Sequence, residues 1–252
     1  MEIKEKTAAR TWIEKNAHAL DGWMVDAFTS FAARLSDKNK PFPCVPAVAG
    51  FALDQIQYAF IEGGEAAGSS FASILKNYSG NWRQYGPYTS LIVFSNLPHF
   101  EGGIEDYEQL FWQILSEAGS LDEEDWPADI PEDPEHPLWQ FCFHGEKYFV
   151  YGASPAHQKR RSRHFPYLMF ALTPRAVLEQ FSKDKRKAER TRASIHQRLA
   201  AYDSVPIHPE LKQYGEKDNF EWRQYFLRDD NGRPQTCPFA KARNKNRQKP
   251  VF

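Results

Sequence analysis

The 252-residue chain has only three cysteines, Cys44, Cys142 and Cys237. None belongs to a CxxC pair, which excludes a paired-cysteine zinc site, and no HExxH replaces it. There is no GxxxxGK[ST] or GxGxxG stretch to cradle phosphate, and no GxSxG to present a serine nucleophile. No apolar run reaches the ~18–20 residues that span a bilayer. The opening residues, MEIKEKTAAR, are charged and lack the apolar core of a signal peptide. So few thiols, in odd number, lead to the expectation of a reduced cytoplasmic protein with no membrane partner. Internal repeats and low-complexity tracts are absent, and a net charge of -1 gives the whole chain no polyanion signature.

What the chain does have is rings and an uneven charge map. Hydrophobic residues make up 41% and aromatics 15%, enough for one large core or for the walls of a pocket that takes a flat ligand. Residues 1–150 hold 10 Lys and Arg against 23 Asp and Glu, whereas residues 151–252 hold 22 against 10. That asymmetry suits either a basic surface for an anionic partner or two parts that face each other within one fold.

Periodicity predicts the elements. Residues 6–36 read as helix, ended by Asp37, Asn39, Pro41 and Pro43. IQYAFIEG is a short strand closed by Gly63 and Gly64, AAGSSFASILKNYSG a helix, PYTSLIVFSN a strand, and GIEDYEQLFWQILSEAG an amphipathic helix with acids in its first turn. A proline- and acid-rich loop follows. LWQFCFHGEKYFVYGAS is a hairpin turning at His144, Gly145 and Glu146, and PYLMFALTPR is another strand. A basic helical stretch follows, broken near Ser182, and FEWRQYFLRDD reads as a last strand. The expected fold is α+β: a single domain over residues 1–240, with a mixed, largely antiparallel sheet of about five or six strands flanked by helices, and a polar tail at 241–252.

One stretch stands out chemically: SPAHQKRRSRHF, residues 154–165, where His157 and His164 bracket Lys159, Arg160, Arg161 and Arg163. The bland reading is a solvated basic loop with a capping histidine. A basic arm for nucleic acid over 159–198 would need exposed aromatics, and the aromatics here sit inside apolar runs. A haem pocket needs one axial ligand, an apolar slot and cations for two propionates, and a histidine among arginines can supply the first and last. Cys142 and His144 share a strand face and could form a nucleophile pair, but a small core cysteine is the simpler reading.

FPC at 42–44, GPYTSLIVF at 86–94, HPLWQFCFHGEKYFVYGASP at 136–155, HQKRRSR at 157–163, TPR at 173–175, EWRQYFLRDD at 221–230 and CPF at 237–239 occur in that order. Together they resemble the YqcI/YcgG family over about residues 40–240. The resemblance implies haem b and oxidative N-hydroxylation of a small guanidino or amino compound such as arginine, with an external electron donor or peroxide and no nucleic acid. It makes His157 the leading iron ligand, with His144, His164, Cys44 and Cys237 behind it, and gives Arg160, Arg163 and Arg175 to the cofactor. Asp218 and Glu221, flanking Phe220 and Trp222, are candidates for holding a cationic substrate. A non-catalytic haem sensor or carrier is the rival reading. Nothing in the sequence fixes an oligomeric state.

Overall fold

Strand Leu91–Asn96 is apolar on both sides because both sides are covered. Leu91 and Val93 enter one core cluster, and Ile92 and Phe94 the other. This period-2 division is what a strand between two helical layers requires. The computed structural model describes residues 7–182 and 184–239; the tail expected at 241–252 lies outside them. In chain order the strands are β1 (Ala8–Ala9), β2 (Gln57–Glu62), β3 (Leu91–Asn96), β4 (Phe141–Phe143), β5 (Glu146–Ala153) and β6 (Leu168–Pro174). They form one open sheet in the order β1-β2-β3-β6-β5-β4. β2 and β3 run parallel and the other four pairings are antiparallel. The chain is therefore a single α+β domain with a mixed sheet.

Helices α2 (Gly22–Ser36) and α3 (Val45–Ala52) lie on one face, and α4 (Ala67–Asn81) and α5 (Ile104–Ser120) on the other. On the first, Phe28 and Phe31 meet Tyr58 edge-on, at 5.2 and 5.7 Å between ring centroids. On the second, Phe111 stacks on Phe170 at 4.9 Å. α4 is the crossover that parallel neighbours need. α5 begins at Gly103, whose backbone N–H is accepted by Asp106 at 2.8 Å, an acid satisfying an orphan donor at a helix start. The β4–β5 turn places His144 and Gly145 at φ of 51° and 71°, the left-handed pair that a two-residue hairpin turn demands.

The sequence expectation fails in two segments. Residues 6–36 are not one helix: α1 (Arg10–Asn16) and a short 3-10 turn at Ala17–Ala19 precede α2, and the chain is extended at Asp21. The expected last strand is instead a 3-10 turn at Glu221–Gln224. Its buried rings Trp222, Tyr225 and Phe226 follow the i, i+3, i+4 spacing of a helical face, not strand alternation. The basic stretch forms α6 (Arg175–Ser182) and α7 (Lys185–Tyr202), split where the break was expected. Charge from the two parts of the chain also meets: Arg228 reaches Glu105 and Glu108, and Arg223 reaches Glu135.

Candidate functional site

Residues 154–165 join β5 to β6 as a series of turns, pinned by a parallel bridge between Ser154 and His164. Ser154, His157, Arg160, Ser162 and Arg163 of this stretch are buried. His157 is 0% exposed. Its Nε2 lies 3.0 Å from the Leu227 carbonyl, and its Nδ1 2.8 Å from the Ser154 hydroxyl. A carbonyl can only accept, so Nε2 carries the proton and Nδ1 accepts from Ser154. Burial, reinforced by Arg163, pulls the ring down to about 4, and it is neutral at pH 7.

The arginines behave alike. Arg163 donates to the carbonyls of Gly152, Tyr225 and Gln224 at 3.1, 2.8 and 2.9 Å, with its guanidinium over the Tyr151 ring. Arg160 donates to the carbonyls of Arg228 and Pro206 and to the Asn231 side chain. The turn itself is clamped by Asp229, which accepts the backbone N–H of Gln158, Lys159 and Arg160 at 2.7–2.9 Å. Asp203 takes the N–H and hydroxyl of Ser162. Lys159 and Arg161 are exposed. Six residues of the 224–231 segment are thus tied to the turn.

The other expected site residues are dispersed. Arg175 is buried in a pair with Glu221 and also holds the Gln140 side chain at 2.6 Å. Burial pushes the Glu221 carboxyl up while Arg175 opposes it. Asp218 is exposed and paired with Lys212 at 2.6 Å. Neither acid faces a cavity that could admit a substrate among those described below. His144 serves the hairpin turn, and Cys237 is buried in the core. His164 has the ring geometry of a metal ligand: its Nδ1 lies 2.8 Å from the His157 carbonyl, which places the proton there and leaves Nε2 its lone pair. It lines neither of the two cavities below.

The first cavity, about 560 Å³, lies between the start of α3, the loop at 87–88 and the junction of α6 and α7; Tyr88, Phe181, Asp184 and Arg190 line it. Its volume is that of a small-molecule site. The second, about 150 Å³, lies beneath Cys44, with Phe149, Tyr151, Leu199 and His208 among its walls. Cys44 is exposed as a residue, but protein atoms packed round its thiol raise it and disfavour the thiolate form that binds iron. His208 and Asp184 were not singled out by sequence. His208 sits in VPIHPEL, which carries no motif, and Asp184 sits in a run of charges that reads as a solvated helix face.

As placed, these side chains do not fit a haem. His157 has no free ring nitrogen, Arg160 and Arg163 are spent mainly on backbone carbonyls, Arg175 is paired with Glu221 and Gln140, and the cavity lined by Arg160 and Arg163, about 150 Å³, is too small for a macrocycle. Among the described residues no group of three or more His, Cys, Asp or Glu gathers to hold a metal ion. No helix there is long and apolar enough to cross a membrane.

The model of the YqcI/YcgG family matches residues 31–240. The chain belongs to the YqcI/YcgG family. Two Bacillus subtilis (strain 168) members resemble it along nearly their whole length. The one named "Uncharacterized protein YqcI" is 43% identical over 94% of this chain and 95% of its own, and "Uncharacterized protein YcgG" is 40% identical over 93% and 95%. A more distant Streptomyces lavendulae relative is named "Putative N(omega)-hydroxy-L-arginine synthase DcsA"; it is 33% identical over 88% of this chain and 85% of its own. No solved structure matches this family member.

Proposed function

We propose that this YqcI/YcgG protein N-hydroxylates a small guanidino or amino compound of arginine-like chemistry. The observation that carries the reading is the 33% identity, over 88% of the chain, to a relative named for N(omega)-hydroxy-L-arginine synthesis. The larger cavity supports it. A guanidinium is a planar cation that pairs with a carboxylate and stacks on rings, and an amino acid also carries a carboxylate of its own. Asp184, the rings of Tyr88 and Phe181, and Arg190 bring all three complements to one wall. Tyr88 and Phe181 lie 5.2 Å apart, tilted at 43°.

The reaction inserts one oxygen atom into an N–H bond. With peroxide as oxidant, its second oxygen leaves as water. With dioxygen, an external donor supplies the two electrons that, with two protons, reduce the second atom to water. The chain's part is to fix the substrate nitrogen through Asp184 and Arg190 with Tyr88 and Phe181 beside it. Haem b is the oxygen-activating group that the family resemblance brings to this reading. The closed state of His157, Arg160 and Arg163 counts against their holding it, and His164 lines neither cavity.

Calorimetric titration of L-arginine and agmatine tests the substrate site. Asp184→Asn is expected to weaken both by about tenfold, the value of one charge-assisted hydrogen bond, while Arg190→Gln weakens arginine and spares agmatine, which lacks the carboxylate. Absence of binding by any guanidino or amino compound contradicts the reading. A pyridine haemochrome assay on protein expressed with haem precursor tests the cofactor separately, and a colourless protein indifferent to haemin rules haem out.

A further inference from the structure

His208 is 2% exposed and lines the 150 Å³ cavity. Its Nδ1 accepts the backbone N–H of Glu210 at 3.1 Å. The neutral ring must therefore carry its proton on Nε2. That Nε2 has no hydrogen-bond partner. A buried donor left alone costs about as much as a lost hydrogen bond, so such a group is a place where an acceptor is missing.

The surroundings say what kind of acceptor. Burial, then the charges of Arg160, Arg163 and Arg233, hold His208 down to about 4, with only Asp230 opposing. The ring is thus a neutral donor at pH 7, with Arg160 and Arg163 in the same cavity wall, while Arg233 is itself paired with Glu210. Asp203 also lines the cavity, but both its oxygens are taken by Ser162. Arg160, Ser162 and Arg163 complete the polar part of the wall, and the rest is mainly apolar, from Phe149, Leu199, Ile207, Leu211 and Leu227. A cavity of roughly 150 Å³ with such walls takes a molecule the size of benzene.

We propose that this cavity binds a short-chain monocarboxylate, its carboxylate accepting the Nε2–H of His208 and its hydrocarbon chain lying against Leu199, Ile207 and Leu227. The site is separate from the larger cavity and does not depend on the N-hydroxylase reading. The ligand replaces no group of the fold: Arg160 and Arg163 in the wall favour an anion, and His208 gives it a direction. Cys44 stands on the same wall, so occupancy shields its thiol, whereas Cys142 and Cys237 are buried in the core.

The test uses the whole chain with valerate and pentanol as probes. Valerate is expected to bind one to one at roughly millimolar concentration, the strength open to so small a ligand. It should raise the His208 pKa seen in ring proton shifts and slow alkylation of Cys44. Pentanol, of equal length and uncharged, should bind at least tenfold more weakly. His208→Phe, which keeps the volume and removes the donor, should lose at least tenfold for valerate, and Leu199→Trp, which fills the cavity, should abolish binding. Absence of saturable binding to the wild type, or pentanol binding as tightly as valerate, overturns the proposal even where a variant does not fold. Retention of valerate affinity by folded His208→Phe overturns it too.

Discussion

Two buried histidines, His157 in the turn after β5 and His208 in the loop after α7, lie in opposite states. Both rings are held down to about 4, and both are neutral at pH 7. His157 has a partner on each nitrogen, Ser154 and Leu227. His208 has one on Nδ1 and none on Nε2. The stretch that looks reactive as a string of letters is the closed one, and the stretch that carries no motif is the one with an open donor. Cationic side chains buried beside β5 act on the fold by gathering carbonyls that no strand partner satisfies. A vacancy in that accounting, not a concentration of charge, marks a place for a ligand.

The largest expected effect comes from Arg163→Met, which keeps the stem and removes the fork. The carbonyls of Gly152 and Gln224 lose the guanidinium and that of Tyr225 keeps only the Gly152 N–H, and stability should fall by about 3–4 kcal/mol in a urea melt. An unchanged midpoint would mean that the turn does not hold the 224–231 segment. Acid should act next. An ordinary histidine titrates near 6.5 and His157 near 4. Between those values the unfolded chain binds a proton that the folded one refuses. The contribution is complete above 6.5 and is lost as pH falls towards 4, by about 3 kcal/mol for His157 alone. Melts from pH 7 to 4.5 should show the decline, and His157→Gln should flatten it.

Swapping each ring for leucine sharpens the contrast between the two histidines. His157→Leu strands Leu227 O and the Ser154 hydroxyl and should cost about 2–3 kcal/mol. His208→Leu deletes an unpaired donor and strands only the part-buried Glu210 N–H, and should cost about 1 kcal/mol. Equal losses by thermal melt would erase the distinction. The smallest effect belongs to Arg161→Ala, an exposed cation in the same basic run, expected within about 0.5 kcal/mol.

The fold was legible where period and flanks agreed. β3 is a β-branched and aromatic run and β6 an apolar one, each between breakers, and α5 carries acids at its start and an apolar stripe throughout. The hairpin turn was readable because a glycine followed His144. Trp222, Tyr225 and Phe226 were misread because a run of four aromatics serves a strand and a single turn equally well. At the site, the sequence announced Arg160 and Arg163 and concealed their direction. Whether an arginine faces solvent, a ligand or a carbonyl depends on backbone brought from 60 to 70 residues away, and no local pattern encodes that. Asp229 shows the same limit: the run RDD gives no hint that one acid closes a turn 70 residues earlier.

The central claim is that the chemistry of this YqcI/YcgG protein takes place on a guanidino or amino nitrogen away from the basic turn. Mass spectrometry of L-arginine incubated with the purified protein, once with peroxide and once with dioxygen and a reductant, tests it most directly. The account predicts a product heavier by one oxygen atom on a guanidino nitrogen, formed at the wild-type rate by Arg161→Ala and at least tenfold more slowly by Asp184→Asn. No oxygenated product from arginine or any other guanidino or amino compound under either condition would contradict it.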